Sequence, residues 1–405
     1  MENVYQKRRI KLLNSLNENS LIILYSGDEI VRSEDQNYPF SVNNNFYYLT
    51  GINEAQVYLA IIKTNGVYQE FLFLRRIDPE IAKWVGSSLA FSEASRLSGI
   101  NISNIFNLHG FESFIKNSFV ANRKSLINKV SEVYLDSSVA KASLRNLISQ
   151  YLVTIKDVYP LICNARRIKD QHEIGLIKEA IHKTYLGLYA IRGTLKSAKN
   201  ERDIEAMWDY SLKCQGVKRS FETIIGSGVN ATTLHYVKNN AVLDSEDLVL
   251  CDLGVEYEKY ASDITRTYPI SGKFSNRQKE IYNIVLKANV ESIKFLKAGV
   301  SYQEFLDFGK NILINECLKI DLIRKPEEIN EYYWHGLGHF LGLDVHDVGS
   351  YNEPLQAGMV ITVEPGLYIA SEGIGIRIED DVLITSDGSI NLSQNILKEI
   401  KDIEF

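Results

Sequence analysis

The sequence predicts an α+β protein built from two domains, and three observations support this. The chain has 405 residues, which is more than one hydrophobic core usually serves. Strand-like segments dominate the first 160 residues, whereas long amphipathic helices begin after residue 164. No glycine-rich phosphate loop follows a predicted strand, which argues against a doubly wound nucleotide-binding sheet. We therefore expect domains at residues 1–163 and 164–405.

The N-terminal domain is predicted to be a compact α/β unit. Residues 20–27 (SLIILYSG) and 44–52 (NNFYYLTGI) have the composition of strands that end at glycine-containing turns. Two further β-rich runs flank Asn65-Gly66, a dipeptide typical of a tight hairpin. Residues 131–136 (SEVYLD) form another predicted strand. The segment 144–158 mixes helical and strand periods, so its structure stays open.

The C-terminal domain is predicted to begin with a long amphipathic helix within residues 164–195. Ile174, Ile177 and Ile181 recur there at helical spacing. Further helices are expected at residues 202–216, 276–298 and 302–319, between strand-rich stretches.

Composition excludes several classes of protein. The net charge of −6 and the absence of a long basic run argue against a dedicated nucleic-acid binder. No apolar run approaches the ~18 residues of a membrane helix. Four dispersed cysteines without CxxC spacing indicate reduced thiols and a cytoplasmic protein: Cys163, Cys214, Cys251 and Cys317.

Two aspartates, Asp252 and Asp263, are the first candidate site residues. The segment 248–270 (LVLCDLGVEYEKYASDITRTYPI) predicts strand, turn and strand. With the turn centred on Tyr257-Glu258, the aspartates oppose each other with Cβ atoms roughly 4.5–5.5 Å apart. Opposed carboxylates among apolar residues need a shared proton or a cation between them. A metal site, a proton-sharing carboxylate pair and two exposed strand acids all stay open.

A second group of acids comes from residues 358–385. Glu364 lies near the end of one predicted strand, where the following proline favours an extended backbone. Charged groups on otherwise apolar strands are rarely buried unless they are paired or bound to metal. Alternation along the next predicted strand places three charged side chains on one face: Arg377, Glu379 and Asp381.

The histidines of residues 335–347 (HGLGHFLGLDVHD) form a third group. His335 and His339 are four residues apart, as in helical HExxH zinc proteases, but Gly336 stands where that motif requires glutamate. Glycines within the segment also disfavour a regular helix. One histidine with four carboxylates is an oxygen-rich set that suits hard or borderline divalent ions. Two ions balance four carboxylates better than one, so the sequence predicts a dinuclear centre, with Mn²⁺ first and Co²⁺ or Zn²⁺ as alternatives.

Five motifs, in this order, resemble the motif series of the pita-bread metallopeptidases: residues 252–254 (DLG), 262–269 (SDITRTYP), 335–347, 362–368 (TVEPGLY) and 375–381 (GIRIEDD). That superfamily includes methionine aminopeptidase, Xaa-Pro dipeptidase and Xaa-Pro aminopeptidase (aminopeptidase P). Residues 31–61 resemble the N-terminal domain of aminopeptidase P, which methionine aminopeptidases lack. The resemblance implies an aminopeptidase P-like domain at 1–163 and a catalytic pita-bread domain at 164–405.

The resemblance also implies roles for individual residues. Asp263 and Glu379 match carboxylates that bridge both ions. The full set of implied metal ligands is Asp252, Asp263, His339, Glu364 and Glu379. One departure is Phe221, which stands where close bacterial relatives often have a tyrosine near the metals.

Residues outside the ligand set are also matched. His235 and His346 correspond to active-site histidines that do not bind metal. Trp84 resembles a tryptophan that a neighbouring subunit contributes in tetrameric members. In the resemblance to aminopeptidase P, the positions that line the pocket for proline correspond to His335, Tyr368 and Arg377.

The implied activity is release of the first residue from peptides with proline at the second position. A metal-bridging hydroxide would attack the scissile carbonyl, and Glu364 would accept and pass on its proton. The implied partners are such peptides and other copies of the chain, in a homodimer or homotetramer, without nucleic acid or membrane. The alternatives are an Xaa-Pro dipeptidase (prolidase), which shares the ligand set, and a non-catalytic peptide-binding relative.

Overall fold

The structure of the protein is a computed structural model that describes residues 3–119 and 130–405. The chain divides into two compact units, residues 1–166 and 167–405. Within the described residues, no helix has the length and apolar character that a membrane crossing needs.

The first unit is built on a six-stranded mixed sheet with the order β6-β5-β4-β1-β7-β8. Its strands are β1 (Ser20–Tyr25), β2 (Val31–Ser33), β3 (Gln36–Asn37), β4 (Tyr58–Thr64), β5 (Val67–Leu74), β6 (Ile105–Asn107), β7 (Glu132–Leu135) and β8 (Thr154–Asp157). The strands β2 and β3 form a separate hairpin. The helices are α1 (Val4–Asn14), α2 (Asn44–Thr50), α3 (Pro79–Val85), α4 (Phe91–Ser98), α5 (Phe111–Ser118), α6 (Ala142–Ile148) and α7 (Tyr159–Arg166).

Most strand predictions for this unit are confirmed. The hairpin turns at Asn65-Gly66, where both residues have positive φ, 53° and 73°, and β4 pairs with β5 on either side. The open segment 144–158 contains the end of α6 followed by β8. The unit ends at residue 166 rather than 163, because α7 continues to Arg166. The Arg166 guanidinium donates to Asn45 within the same unit, at 2.7 Å.

The strand predicted at residues 44–52 is wrong, since this segment forms helix α2. Asn43 caps the helix by accepting a hydrogen bond from the Phe46 backbone N–H at 2.9 Å. Gly51 ends it with a left-handed conformation, φ 68°. Nearly every residue between them is buried, so the apolar run that resembled a strand is a short helix inside the core.

The second unit combines four long helices with several small sheets. The helices are α8 (Gln171–Thr194), α9 (Glu201–Gln215), α10 (Asn276–Phe295), α11 (Tyr302–Lys319) and the short α12 (Ile400–Ile403). The strands are β9 (Lys218–Arg219), β10 (Ile224–Ser227), β11 (Leu248–Leu253), β12 (Val255–Tyr257), β13 (Tyr260–Ala261), β14 (Ile264–Pro269), β15 (Val360–Val363), β16 (Gly366–Ile369), β17 (Ile374–Arg377), β18 (Asp380–Ile384) and β19 (Ser389–Asn391).

The strands of the second unit form sheets with the orders β10-β11-β14, β13-β12-β9, β15-β18-β19 and β16-β17. The four predicted helices are confirmed. The first of them starts at residue 171 rather than near 164, because Asp170 and Glu173 form a capping box there. Residues 335–347 contain no helix, as their glycines predicted.

The strand register predicted for the two aspartates is wrong: the residue opposite Asp252 lies two positions further along the chain than predicted. The turn lies at Glu258-Lys259, both with positive φ, 46° and 70°, instead of Tyr257-Glu258. Asp252 therefore opposes Thr265. Asp263 lies two residues before Thr265, on the same face, because side chains alternate along a strand. The two aspartates are diagonal neighbours rather than direct ones.

Candidate metal centre

The loops between β15, β16, β17 and β18 bring Glu364 and Glu379 to the aspartates. Glu364 follows β15, and its backbone N–H donates to the Leu337 carbonyl at 2.8 Å. Glu379 lies between β17 and β18, and its backbone N–H donates to the Thr265 carbonyl at 3.1 Å. The Thr265 hydroxyl also donates to Glu379 Oε2 at 2.7 Å. Backbone and side chain together hold Glu379 against the strand that follows Asp263.

His339 enters the cluster from the irregular segment 335–347. Its backbone N–H donates to the Thr362 hydroxyl at 2.9 Å, and its Nδ1 lies 3.0 Å from the Phe340 carbonyl. Its Nε2 lies 3.3 Å from Asp263 Oδ2 and 3.6 Å from Glu364 Oε1. A carbonyl at Nδ1 fixes the ring and leaves Nε2 as the atom available to a metal.

The donor atoms of Asp263, His339 and Glu379 lie close enough to share a cation, all within 4.8 Å of one another. Asp252 adds a buried Oδ1 atom without a hydrogen-bond partner. An unpartnered buried carboxylate oxygen is costly unless a cation or proton reaches it. These residues therefore fit a divalent metal.

Three carboxylates of the cluster, Asp263, Glu364 and Glu379, have raised pKa values. Burial, with repulsion from Glu379 and the other acids, raises the pKa of Asp263 well above its usual range. Burial and repulsion from Glu364 act likewise on the pKa of Glu379. Burial raises the pKa of Glu364 to about 7 and lowers the pKa of His339 to about 4. The neutral imidazole is the form that binds metals.

A second group of side chains, His335, Tyr368 and Arg377, is joined by hydrogen bonds. The Tyr368 hydroxyl lies 2.8 Å from His335 Nε2 and accepts a hydrogen bond from Arg377 at 2.9 Å. Arg377 also donates to Asp252 Oδ2 at 2.5 Å. His335 and Arg377 line a cavity of about 360 Å³, next to the buried Tyr368. Burial lowers the pKa of His335 to about 3.

A second cavity of about 590 Å³ adjoins the first. His235, Asp252, His339, His346 and Glu364 line both cavities. The His346 ring packs edge-on against the His339 ring, with centroids 4.3 Å apart. Phe221 lines only the second cavity. The structure thus brings ten of the predicted site residues to this pair of cavities or to their wall, with the buried Asp263 and Glu379 lining the second cavity.

Trp84 lies on helix α3 of the first unit, where its side chain is 89% exposed. No residue of that helix is buried. Trp84 is therefore accessible to another molecule.

Two threonines of the site were not assigned a role from the sequence. Thr265 contacts both Glu379 and Arg377 through its hydroxyl, and Thr362 contacts both His339 and Glu364. Asp381 accepts a hydrogen bond from the Asp263 backbone at 3.2 Å. The threonines lie two residues from Asp263 and Glu364 respectively, so strand alternation was the signal that could have found them.

Comparison with known proteins decides the family. Residues 175–386 match the model of metallopeptidase family M24, and residues 5–127 match the aminopeptidase P N-terminal domain. The chain belongs to metallopeptidase family M24. It is a metal-dependent exopeptidase, it uses divalent metal ions, and it acts on peptides.

The relatives are similar over almost their whole length. A Haemophilus influenzae Xaa-Pro aminopeptidase is 34% identical over 99% of this chain and 96% of its own. The Escherichia coli K12 Xaa-Pro aminopeptidase is 32% identical with the same coverage of both chains. A solved structure of Escherichia coli aminopeptidase P with the inhibitor Pro-Leu has a TM-score of 0.90 at 30% identity, covering 99% of this chain and 97% of that one. The prediction of an N-terminal α/β domain followed by a pita-bread metallopeptidase domain is confirmed.

Proposed function

We propose that this metallopeptidase is an Xaa-Pro aminopeptidase with two metal ions. The observation that carries the proposal is the double contact of Arg377. This side chain donates to Asp252 at the edge of the acidic cluster and to Tyr368 in the neighbouring cavity wall. One residue thus joins the groups that would hold metal to the groups that would hold proline, so the scissile bond has a defined place between them.

The proposed ligands are the four cluster carboxylates and one imidazole, with Asp263 and Glu379 shared between two ions. Oxygen-rich sites of this kind favour Mn²⁺, with Co²⁺ and Zn²⁺ as competitors. When bound, the ions supply Lewis acidity toward the carbonyl and a lowered pKa for a water molecule. Mn²⁺ is the proposed first choice of metal. The complete set of proposed ligands is Asp252, Asp263, His339, Glu364 and Glu379.

The side chains around the ligands supply the proton transfers. Glu364 borders both cavities, which places it to accept a proton from the attacking water. His235 and His346 line the same cavities and are exposed, so their ring N–H groups can reach bound substrate. They would donate to the developing oxyanion and to the leaving proline nitrogen.

The pocket of His335, Tyr368 and Arg377 would select proline. A proline at the second position has no backbone N–H and a fixed φ, so its ring suits a wall of aromatic and imidazole faces. The Tyr368 ring lies 5.5 Å from the His335 ring, centroid to centroid. Because the Tyr368 hydroxyl is engaged by His335 and Arg377, the wall is held in one arrangement.

We also propose a homodimer or homotetramer in which Trp84 of one copy closes the pocket of another. The exposed tryptophan on a helix without buried residues supports this. A cytoplasmic location is proposed because all four cysteines are free thiols.

A substrate comparison tests the activity. The chelator-stripped protein is reloaded with Mn²⁺ and given Ala-Pro-Ala, Ala-Pro and Ala-Ala-Ala at equal concentration. Release of alanine from Ala-Pro-Ala alone, or much faster than from the other two, is expected. Cleavage of Ala-Pro alone would replace the proposal with a dipeptidase. No cleavage with metal bound would leave a peptide-binding protein.

A further inference from the structure

Glu201 is a fully buried carboxylate that the proposed reaction does not use. It is the first residue of helix α9 and has 0% exposure. A buried carboxylate at a helix start gains from the helix dipole, but it still needs hydrogen-bond donors to replace water. The identity of those donors shows what Glu201 does.

Five hydrogen bonds converge on the two Glu201 oxygens. Oε1 accepts from the Ser227 backbone N–H at 2.8 Å, from the Ser227 hydroxyl at 2.8 Å and from the Asn230 side-chain amide at 3.2 Å. Oε2 accepts from the Tyr236 hydroxyl at 2.9 Å and from the Ala241 backbone N–H at 2.8 Å. All the donors belong to residues 227–241, which we call the His235 loop.

The donor set at Glu201 matches a group with two acceptor oxygens. Two donors are backbone N–H groups and one is an amide NH₂, and none of these can accept a hydrogen bond. A glutamine at position 201 would have to point its own NH₂ at one of them, whichever way its side-chain amide is turned. Glu201→Gln therefore keeps the shape of the side chain but points its NH₂ at the backbone N–H of either Ser227 or Ala241, which is also a donor.

The His235 loop needs such an anchor because His235 itself is exposed. An exposed side chain on a loop is placed only as well as the backbone beside it. Tyr236, the next residue, is bound to Glu201. On the far side, Asn239 accepts from the Ile225 N–H and donates to the Thr223 carbonyl, both at 2.9 Å. The backbone around His235 is thus fixed at Glu201 and at strand β10.

We propose that Glu201 is the positioning residue for His235. By accepting five hydrogen bonds from the His235 loop, its carboxylate fixes the backbone that holds the imidazole in the two cavities beside the proposed metal ligands. This rests on the proposed function of His235. Glu201 touches neither substrate nor metal in this scheme, so its removal should act through His235 alone.

A double-mutant cycle tests the proposal, with Glu201→Gln and His235→Ala made singly and together in the Mn²⁺-loaded protein. Glu201→Gln alone is expected to lower kcat about 10–100-fold, the range for loss of an outer hydrogen-bond partner of an active-site group. In the His235→Ala background it should lower kcat less than about threefold, because the two act as a unit. The same loss of kcat in both backgrounds would overturn the proposal.

Two further variants keep the test decisive. Glu173→Gln changes another buried glutamate, which accepts from Tyr260 at 2.9 Å. It should change kcat by the same factor in both backgrounds. If Glu201→Gln does not fold, Tyr236→Phe removes one of its donors and should show the same non-additivity with His235→Ala on a smaller scale. If the unmodified protein cleaves no Xaa-Pro peptide, the proposed function fails. If it cleaves while the cycle is additive, only the Glu201 proposal fails.

Discussion

At the residue scale, Arg377 makes the metal cluster and the proline pocket interdependent. Its guanidinium is buried, and it binds Asp252, Thr265 and Tyr368 at the same time. Burial opposes its charge, while Tyr368, Asp252 and Glu379 stabilise that charge and hold the pKa of Arg377 well above its usual range. A permanent cation at this point offsets one of the crowded negative charges.

The hydroxyl of Tyr368 is the part of this network that can be removed without disturbing a proposed ligand. Tyr368→Phe should lower kcat/KM for an Xaa-Pro tripeptide about tenfold, because one hydrogen bond to a charged donor and one to His335 are lost. Metal content, measured by mass spectrometry, should stay at the unmodified value. An equal loss for a substrate without proline would show that the hydroxyl has no part in proline selection.

Asp263 is predicted to bind both ions, so its substitution should lower both the number of metal ions bound per chain and the catalytic rate. Asp263→Asn removes the charge but keeps the shape, and we expect bound Mn²⁺ to fall from two ions to one or none, with activity reduced more than about 100-fold. Asp387→Asn, in an exposed turn, is the matched control. Two ions and full activity in Asp263→Asn would contradict the shared-ligand assignment.

At the element scale, the sequence predicted elements well wherever local chemistry decides them. Helices α9, α10 and α11 begin at capping boxes led by Asn200, Ser275 and Ser301. These caps and the turn at Asn65-Gly66 are local signals, and the structure has these elements where they were expected. The strand prediction for residues 44–52 failed because non-local packing decides that element. Residues 44–50 are buried on nearly every side, which removes the polar face that identifies a helix.

The sequence also predicted the candidate site only in part. Motif spacing identified Asp252 and Asp263, but the register was missed because the turn uses Glu258 and Lys259, two residues that seldom adopt positive φ. Glu201 was not found at all. Its importance depends on residues 26 to 40 positions later in the chain, which no local pattern relates to a helix start.

Helix α2 provides a stability test with a matched control. Gly51 and Gly66 both have positive φ, 68° and 73°, so alanine at either position costs about 1 kcal/mol of backbone strain. A Cβ at Gly51 would also lie 2.4 Å from the Tyr5 ring, whereas one at Gly66 meets nothing within 4 Å. Urea unfolding should show Gly51→Ala less stable than Gly66→Ala by about 1–3 kcal/mol. Equal losses would show that Tyr5 moves away freely.

At the scale of the whole molecule, the exposed Trp84 on helix α3 predicts that the active form contains more than one chain. Trp84→Ala should raise KM for Xaa-Pro tripeptides and leave metal content unchanged, while Lys83→Ala on the same helix should change neither. Mixing Trp84→Ala chains with inactive Asp263→Asn chains should restore the lower KM, because the second chain supplies the missing tryptophan. A monomeric unmodified protein in sedimentation, or no restoration on mixing, would contradict the shared site.

The acidic cluster also makes the stability of the whole molecule depend on metal and pH together. Without metal, the raised pKa of Asp263, Glu379 and Glu364 means that the folded chain keeps protons which the unfolded chain releases above about pH 4.5. Binding more protons when folded makes stability fall as pH rises. The lowered pKa of His339 acts in the opposite direction, but only below about pH 6.5, where unfolded histidines gain protons.

Between pH 6.5 and 8, the pH dependence of stability therefore reflects the cluster carboxylates and not His339. Divalent ions bind the proton-free carboxylates and cancel their repulsion, so the Mn²⁺-loaded protein should lose little stability across this window. Calorimetric Tm values of the loaded and chelator-stripped protein should differ more at pH 8 than at pH 6.5. Asp263→Asn should reduce that pH-dependent difference, because one of the repelling charges is gone. A difference in Tm that stays constant with pH would mean that the cluster carries no excess protons at neutral pH, and that metal stabilises the fold by coordination alone.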